Sequence, residues 1–222
     1  MVTRKTTFVN NEFYHVYNRG VDKRDIVMDE NDSDRFMKSV LLFNSKKPIG
    51  SIFERMLIKN KLNQFGGETA KLVNIVAYCL NPNHFHFILE QVTEGGISEF
   101  MKRLGGGYTW YFNNKYKRTG SLFQGVFKSV HIDDNQYLLN LSVYVNLNNR
   151  AHKFGGETAK LVRSSWNEYV IENNQSSYDL CHKDIILSQF KKNSEYKNFA
   201  EKELKEIIRR KEDEEISKFT LE

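Results

Sequence analysis

Asn81-Pro82-Asn83-His84-Phe85-His86-Phe87-Ile88-Leu89-Glu90 is the stretch whose reading sets the fold. The residue before a proline avoids the helical region, and Asn-Pro-Asn supplies turn chemistry. Beyond the turn the side chains alternate. In a strand, His84 and His86 share one face while Phe85, Phe87 and Leu89 share the other. The aromatic face suits a core. The histidine face presents two imidazoles about 6–7 Å apart along the strand, able to converge on one ion. A single histidine here would read as a surface residue. Two at period two read as half of a metal site, whose remaining ligands must come from elsewhere in the chain.

Just upstream, Leu72 to Leu80 is apolar and β-branched, which predicts a buried strand joined to the histidine strand as a hairpin. Phe13 to Arg19 reads as the first strand, with Phe13, His15 and Tyr17 facing one way. Asn18-Arg19-Gly20 is a turn carrying a positive charge. Asp32 and Ser33 are cap candidates for an amphipathic helix through Phe36, Val40, Leu41 and Phe43. Residues 49–62 are ambiguous, although Ile52, Phe53, Met56 and Leu57 have helical spacing.

Downstream, Ser98 is expected to cap a helix through Phe100, Met101, Leu104 and Tyr108, kinked at Gly105-Gly106-Gly107. The triplet is no phosphate-binding loop, since no Gly-Lys-Ser/Thr follows. Lys115-Tyr116-Lys117-Arg118 is a basic turn, and Ser121 to His131 reads as a further strand. Asp133 and Asp134 begin a helix with apolar positions at Leu138, Leu141, Val145 and Leu147. Tyr144 and Asn148, four apart, share one face of it, about 6 Å apart in rise. Ile185 to Phe219 reads as a charged, solvated helix. The order β, α, β-turn-β, α, β, α predicts an α+β fold: a ferredoxin-like antiparallel sheet with helices on one face, plus a charged C-terminal helical extension.

The length of 222 residues suits one domain, assigned to 1–175, with the helical extension over 176–222. A hydrophobic content of 40% supports a core, and a net charge of +5 favours a polyanionic partner. Cys79 and Cys181 make neither a disulfide framework nor a cysteine-rich zinc site. No apolar run is long enough to span a bilayer and the N-terminus has no apolar signal core, so a cytoplasmic location without membrane contact is expected. The 11 Tyr and 16 Phe are chiefly core material, but aromatics among Lys and Arg also suit base stacking.

Residues 65–73 read Phe-Gly-Gly-Glu-Thr-Ala-Lys-Leu-Val, and residues 154–162 read the same. The flanks differ. A structural repeat would drift and recur more often, so the copies look like insertions, near 63–73 and 152–162. Their Gly-Gly centres place them in surface loops.

His84-Phe85-His86 resembles the His-hydrophobic-His motif of HUH single-strand endonucleases, and Tyr144-Val145-Asn146-Leu147-Asn148 resembles the nucleophile helix of single-tyrosine transposases. Together with Phe13 to Gly20, Leu80 to His84 and Ser121-Leu122-Phe123-Gln124-Gly125, the set resembles the REP-associated tyrosine transposases over most of the chain. The resemblance implies that His84, His86 and Asn148 bind Mg²⁺ or Mn²⁺, which polarises the scissile phosphate. It implies that Tyr144 attacks the phosphorus and forms a 5′-phosphotyrosine. The implied partner is single-stranded or hairpin DNA, of the REP-like palindrome kind, handled by a monomer or homodimer. Arg19, Arg118 and Lys128, with His15, Tyr17 and Asn18, are assigned to the DNA face, cations on phosphates and aromatics on unpaired bases.

Two other classes compete. A non-catalytic hairpin-DNA-binding protein on the same fold is one, although Tyr144, His84 and His86 are all present. A metal-dependent hydrolase is the other. It would want Asp-His soon after the motif or a third His two residues on, where Glu90-Gln91 and Ile88 stand.

Overall fold

A computed structural model describes residues 6–47, 70–171 and 178–219. The Asn-Pro-Asn turn closes with Asn81 N–H donating to His84 O at 2.8 Å. It joins β2 (Val73–Leu80) to β3 (His84–Gln91) as an antiparallel hairpin. On the other side of β3 lies β1 (Phe13–Arg19), placing Tyr17 opposite His86 and Arg19 opposite His84. β4 (Lys128–Ile132) pairs with β1, and the two-residue β5 (Arg163–Ser164) pairs with β2. The sheet order β4-β1-β3-β2-β5, antiparallel throughout, contains the ferredoxin-like order in its first four strands.

The period of two sorts the strands as expected. Phe85, Phe87 and Leu89 join Tyr14 and Val16 in one core. Two helices close over it: α1 (Glu30–Phe43), through Phe36 and Val40, and α2 (Gly96–Lys115), through Phe100, Leu104 and Tyr108. Each aromatic fully buried there contributes about 1.5–3 kcal/mol. The buried carboxylate of this layer is satisfied. Buried Asp32 accepts from Met28 N–H, the hydroxyls of Tyr111 and Tyr116, and Lys115 Nζ, tying the start of α1 to the end of α2.

The expectation of helices on one face holds for this βαββαβ unit and fails for the whole chain. The opposite face carries a second core, in which Ala77, Cys79 and Ile88 meet Leu138, Leu141 and Val145 of α3 (Asn135–Asn146). A bulge between Ile75 and Ala77 sends both Val76 and Ala77 to that side. Its outer wall is the C-terminal helix α8 (Asn193–Phe219). This helix is not simply solvated. Tyr196, Ala200 and Leu204, at four-residue spacing, are buried in the same core. The short helices α4 (Asn148–Ala151), α5 (Glu157–Leu161), α6 (Trp166–Val170) and α7 (Asp184–Leu187) complete the described chain.

Other expectations shift for local reasons. α1 is capped by Asp29, whose carboxylate accepts from Asp32 N–H at 2.9 Å, while Asp32 and Ser33 are buried inside the first turn. α2 starts after Gly95, which takes the left-handed conformation at φ 67°, and Ser98 lies within the helix. The glycine triplet does not break α2. A Cβ at Gly107 would stand 2.6 Å from the Phe43 ring, so this glycine admits a neighbouring helix. Residues 121–127 are not strand. They are held by a bridge from Phe123 to Gly20 and by Gln124 N–H donating to Arg19 O at 2.8 Å. The second copy of the repeated peptide, expected as a surface loop, is helical over Glu157–Leu161 and forms α5. Residues 49–62 and the first copy's residues 65–69 lie outside the described residues. Among the described residues no helix is long and apolar enough to cross a membrane.

Candidate active site

β3 delivers His84 and His86 to the face opposite Phe85 and Phe87, and α3 approaches from above that face. Asn83 orients the first imidazole. Its Nδ2 donates to Lys23 O at 3.2 Å, which turns its Oδ1 towards His84 Nδ1 at 2.6 Å. Nδ1 of His84 therefore carries the proton, and Nε2 offers a lone pair. Asn148 Oδ1 lies 2.9 Å from that Nε2. Two acceptors thus crowd one point. The Asn81 amide, fully buried, donates into the gap from 2.7 Å to Asn148 Oδ1 and 2.9 Å to His84 Nε2. Asn148 Nδ2 is buried with no hydrogen-bond partner. The convergent lone pairs of His84 Nε2 and Asn148 Oδ1 are a donor set that a cation fits.

His86 is fixed from below. Its Nδ1 lies 2.9 Å from Nε2 of His15, with the rings stacked at 5.1 Å. Tyr17 stacks beside both, 4.8 Å from His15 and 5.6 Å from His86. His15, assigned from sequence to the DNA face, is placed instead as a buried support for His86. Burial lowers the basicity of every imidazole here. His15 falls to about 4, His84 falls, and His86 falls well below its ordinary value, with neighbouring cations and histidines adding to the effect. The neutral imidazole, which binds metals, is the resident form at pH 7.

Tyr144 stands edge-on to His86 at 5.4 Å and to His15 at 6.4 Å. α3 ends at Asn146, and Leu147, at φ −114° and ψ 19°, breaks the helix before α4 opens on Asn148. The expected single helix is therefore two, yet Tyr144 and Asn148 still meet. Burial raises the Tyr144 phenol above its usual range, and a hydrogen bond with Asn148 pulls the other way.

A cleft of about 490 Å³ opens over these groups, lined by Tyr17, Asn18, Arg19, Lys128, His84, His86 and Tyr144. Arg19 is steered by Gln124, with Nε to Oε1 at 2.7 Å. Of the residues assigned to the DNA face, Arg118, like His15, does not line this cleft. It donates to Asn113 Oδ1 at 2.9 Å and lies over Phe112, on the α2 side. Asn113 lines a second, shallower groove with Trp110, Phe123 and Val126.

Several site residues have no counterpart in the sequence reading. Asn81 sat inside the quoted motif but read as turn chemistry alone. Its place three residues before His84 was the available signal. His152 and Phe154 enter the cleft from the second copy of the repeat and its flank, with ring centroids 5.0 and 6.3 Å from His84. Lys211 comes from α8, with Nζ 5.5 Å from the Tyr144 ring centre and 3.0 Å from His152 Nε2. Neither contact has a local sequence signal, because tertiary packing makes them. Among the described residues no three His, Cys, Asp or Glu side chains form a metal cluster. The set here is two imidazoles and an amide oxygen.

Residues 40–148 match the model of the family described as "Transposase IS200 like". Among solved structures, one described as "Structure of the REP associates tyrosine transposase bound to a REP hairpin" is similar at 12% identity and a TM-score of 0.46. The alignment covers 80% of this chain and 90% of that one. No curated protein matches the chain.

Proposed function

With an IS200-like transposase domain in residues 40–148 as the premise, we propose that this chain cuts and rejoins one strand of hairpin-bearing DNA, with Tyr144 as the nucleophile. The observation that carries the reading is the convergence of His84 Nε2 and Asn148 Oδ1 at 2.9 Å, next to Tyr144 and at the floor of a cleft edged by Arg19 and Lys128.

Tyr144 Oη attacks the scissile phosphorus. The bond from phosphorus to the 3′ oxygen breaks, and that oxygen leaves as a free 3′-hydroxyl. The product on the protein is a 5′-phosphotyrosine. The phenol proton is lost and the departing oxygen gains one, so protons balance. One phosphoester replaces another, so no nucleotide is consumed, and attack by a 3′-hydroxyl reverses the step. Arg19 and Lys128 hold flanking phosphates, and Tyr17 offers a face for an unpaired base. His84, His86 and Asn148 would hold Mg²⁺ or Mn²⁺, which supplies Lewis-acid polarisation of the phosphate. His15 holds the His86 ring in place from below, as partners of ligating histidines do.

The test mixes the protein with labelled hairpin DNA and Mn²⁺ and looks for a covalent adduct that survives denaturation. Wild type should form it. Tyr144→Phe removes only the hydroxyl, so folding and DNA binding should persist while adduct and cleavage vanish. Cleavage retained by that variant would sink the assignment. Binding without any adduct in the wild type would leave a hairpin-DNA-binding protein on the same fold.

A further inference from the structure

The repeated peptide is identical in sequence, and its last four residues differ in structure between the copies. In the first copy, Lys71 is irregular, Leu72 and Val73 are buried, and Val73 opens β2 opposite Gln91. The backbone there is pinned by Asn44, whose Oδ1 accepts from both Leu72 and Val73 N–H at 3.0 Å. In the second copy, Ala159, Lys160 and Leu161 are helical, and Val162 is the extended residue after them. Leu161 O accepts from Ser33 Oγ at 2.6 Å, and Phe154 faces His84. Over the four positions described in both copies, 70–73 and 159–162, neither the conformation nor these hydrogen-bond partners are shared. At these four positions packing gives no reason for the identity.

The genetic code supplies one. Around Glu68, the permitted codons pair as reverse complements: Gly67 with Thr69 (GGT, ACC), Gly66 with Ala70 (GGC, GCC), Phe65 with Lys71 (TTT, AAA), Gln64 with Leu72 (CAG, CTG), Asn63 with Val73 (AAC, GTT). Around Glu157 the core pairs are the same, but the flanks have changed. They still pair: Lys153 with Leu161 (AAG, CTT), His152 with Val162 (CAC, GTG), Ala151 with Arg163 (GCG, CGC), Arg150 with Ser164 (AGA, TCT). The match is not free. A leucine codon is complementary only to Lys, Gln or Glu codons among the amino acids, and a valine codon only to Asn, Asp, His or Tyr codons. The series ends where the code forbids it, at Leu62 with Asn74 and at Asn149 with Ser165. Partners that change together are expected of a base-paired stem.

We propose that each copy is the translation of an inverted repeat in the gene, and that the single-stranded hairpins these repeats form are a substrate of the cleft around Tyr144. The substrate half rests on the function proposed above. The chain would thus be encoded by DNA of the class it handles.

The test has two parts. The coding sequence is read first. An unbroken stem through both copies is expected, and codons that break it at several pairs overturn the proposal. Purified full-length protein is then titrated with single-stranded oligonucleotides spanning the codons of residues 147–167. One carries the native codons and the other synonymous codons that cannot pair, with an unrelated hairpin as reference. The native strand should bind at least about tenfold tighter than its scrambled partner and be the one cleaved. Equal binding of both, with the unrelated hairpin bound and cut, overturns the substrate half and leaves the proposed function standing. Failure to bind any hairpin removes both.

Discussion

Asn81 is the residue on which the site geometry turns. It is buried, and its single amide nitrogen stands between two lone pairs, those of His84 Nε2 and Asn148 Oδ1. Asn81→Ala would leave two buried acceptors 2.9 Å apart with no donor between them, at a cost of about 1–3 kcal/mol. A divalent cation bound there takes over the role of the lost N–H. Thermal denaturation should therefore show the variant less stable than wild type without metal, with part of the loss recovered in Mn²⁺. A deficit unchanged by Mn²⁺ would mean that no ion binds between these groups. At this scale the sequence was partly legible. The period of two put His84 and His86 on one face, and that face is where they stand. The same period put His15 and Tyr17 on one face of β1, but not against His86 at 2.9 Å, because only strand pairing brings the two strands together. The shared orientation could be read, and the neighbour could not.

Elements were legible where the pattern was long and local, as in β1, β2, β3 and α3. They were missed where a neighbour decided. The glycine triplet is the instructive case: three helix-weakening residues in a row predict a kink, yet α2 runs through them because both ends are anchored in the core. The three are not equivalent. Gly105 and Gly106 have open space where a Cβ would go, whereas Gly107 faces the Phe43 ring. Alanine at either of the first two should stabilise α2 by about 0.8–1 kcal/mol, the helix-propensity difference. Alanine at Gly107 gains the same propensity but overpacks the α1–α2 contact, which costs about 1–3 kcal/mol. Chemical denaturation of the three single variants should give opposite signs across one triplet. Destabilisation by all three would show that the helix needs its glycines for something other than this contact.

The whole molecule is more unified than its charge pattern suggests. Residues 185–219 read as a solvated helix because charged side chains dominate, yet the seam of Tyr196, Ala200 and Leu204 is buried in the core, with Phe199, Ile207 and Ile208 packed against it. That seam holds the helix carrying the proposed nucleophile. Tyr196 Oη accepts from Asn146 Nδ2 at 2.9 Å and lies 3.0 Å from Ser142 Oγ, both residues on α3. Arg150 adds a two-point ion pair with Glu201. Tyr196→Ala should cost about 3–5 kcal/mol, as expected for a large buried aromatic, and cleavage should fail with the fold.

Lys211 separates a chemical contribution of α8 from this structural one. It lies two turns beyond the buried seam, so Lys211→Ala should leave the melting temperature near wild type. Its Nζ stands over the Tyr144 ring and 3.0 Å from His152, at the edge of the cleft. Under the proposed function, a cation there would meet the phosphate that Tyr144 attacks. Its removal should weaken hairpin binding at low salt and reduce the slope of log affinity against log salt by about 1. Cleavage should fall further than binding, because the charge sits beside the reacting group and not along the flanking strand. Lys211→Arg should restore the salt slope. An unchanged slope in the alanine variant would confine α8 to holding α3 in place.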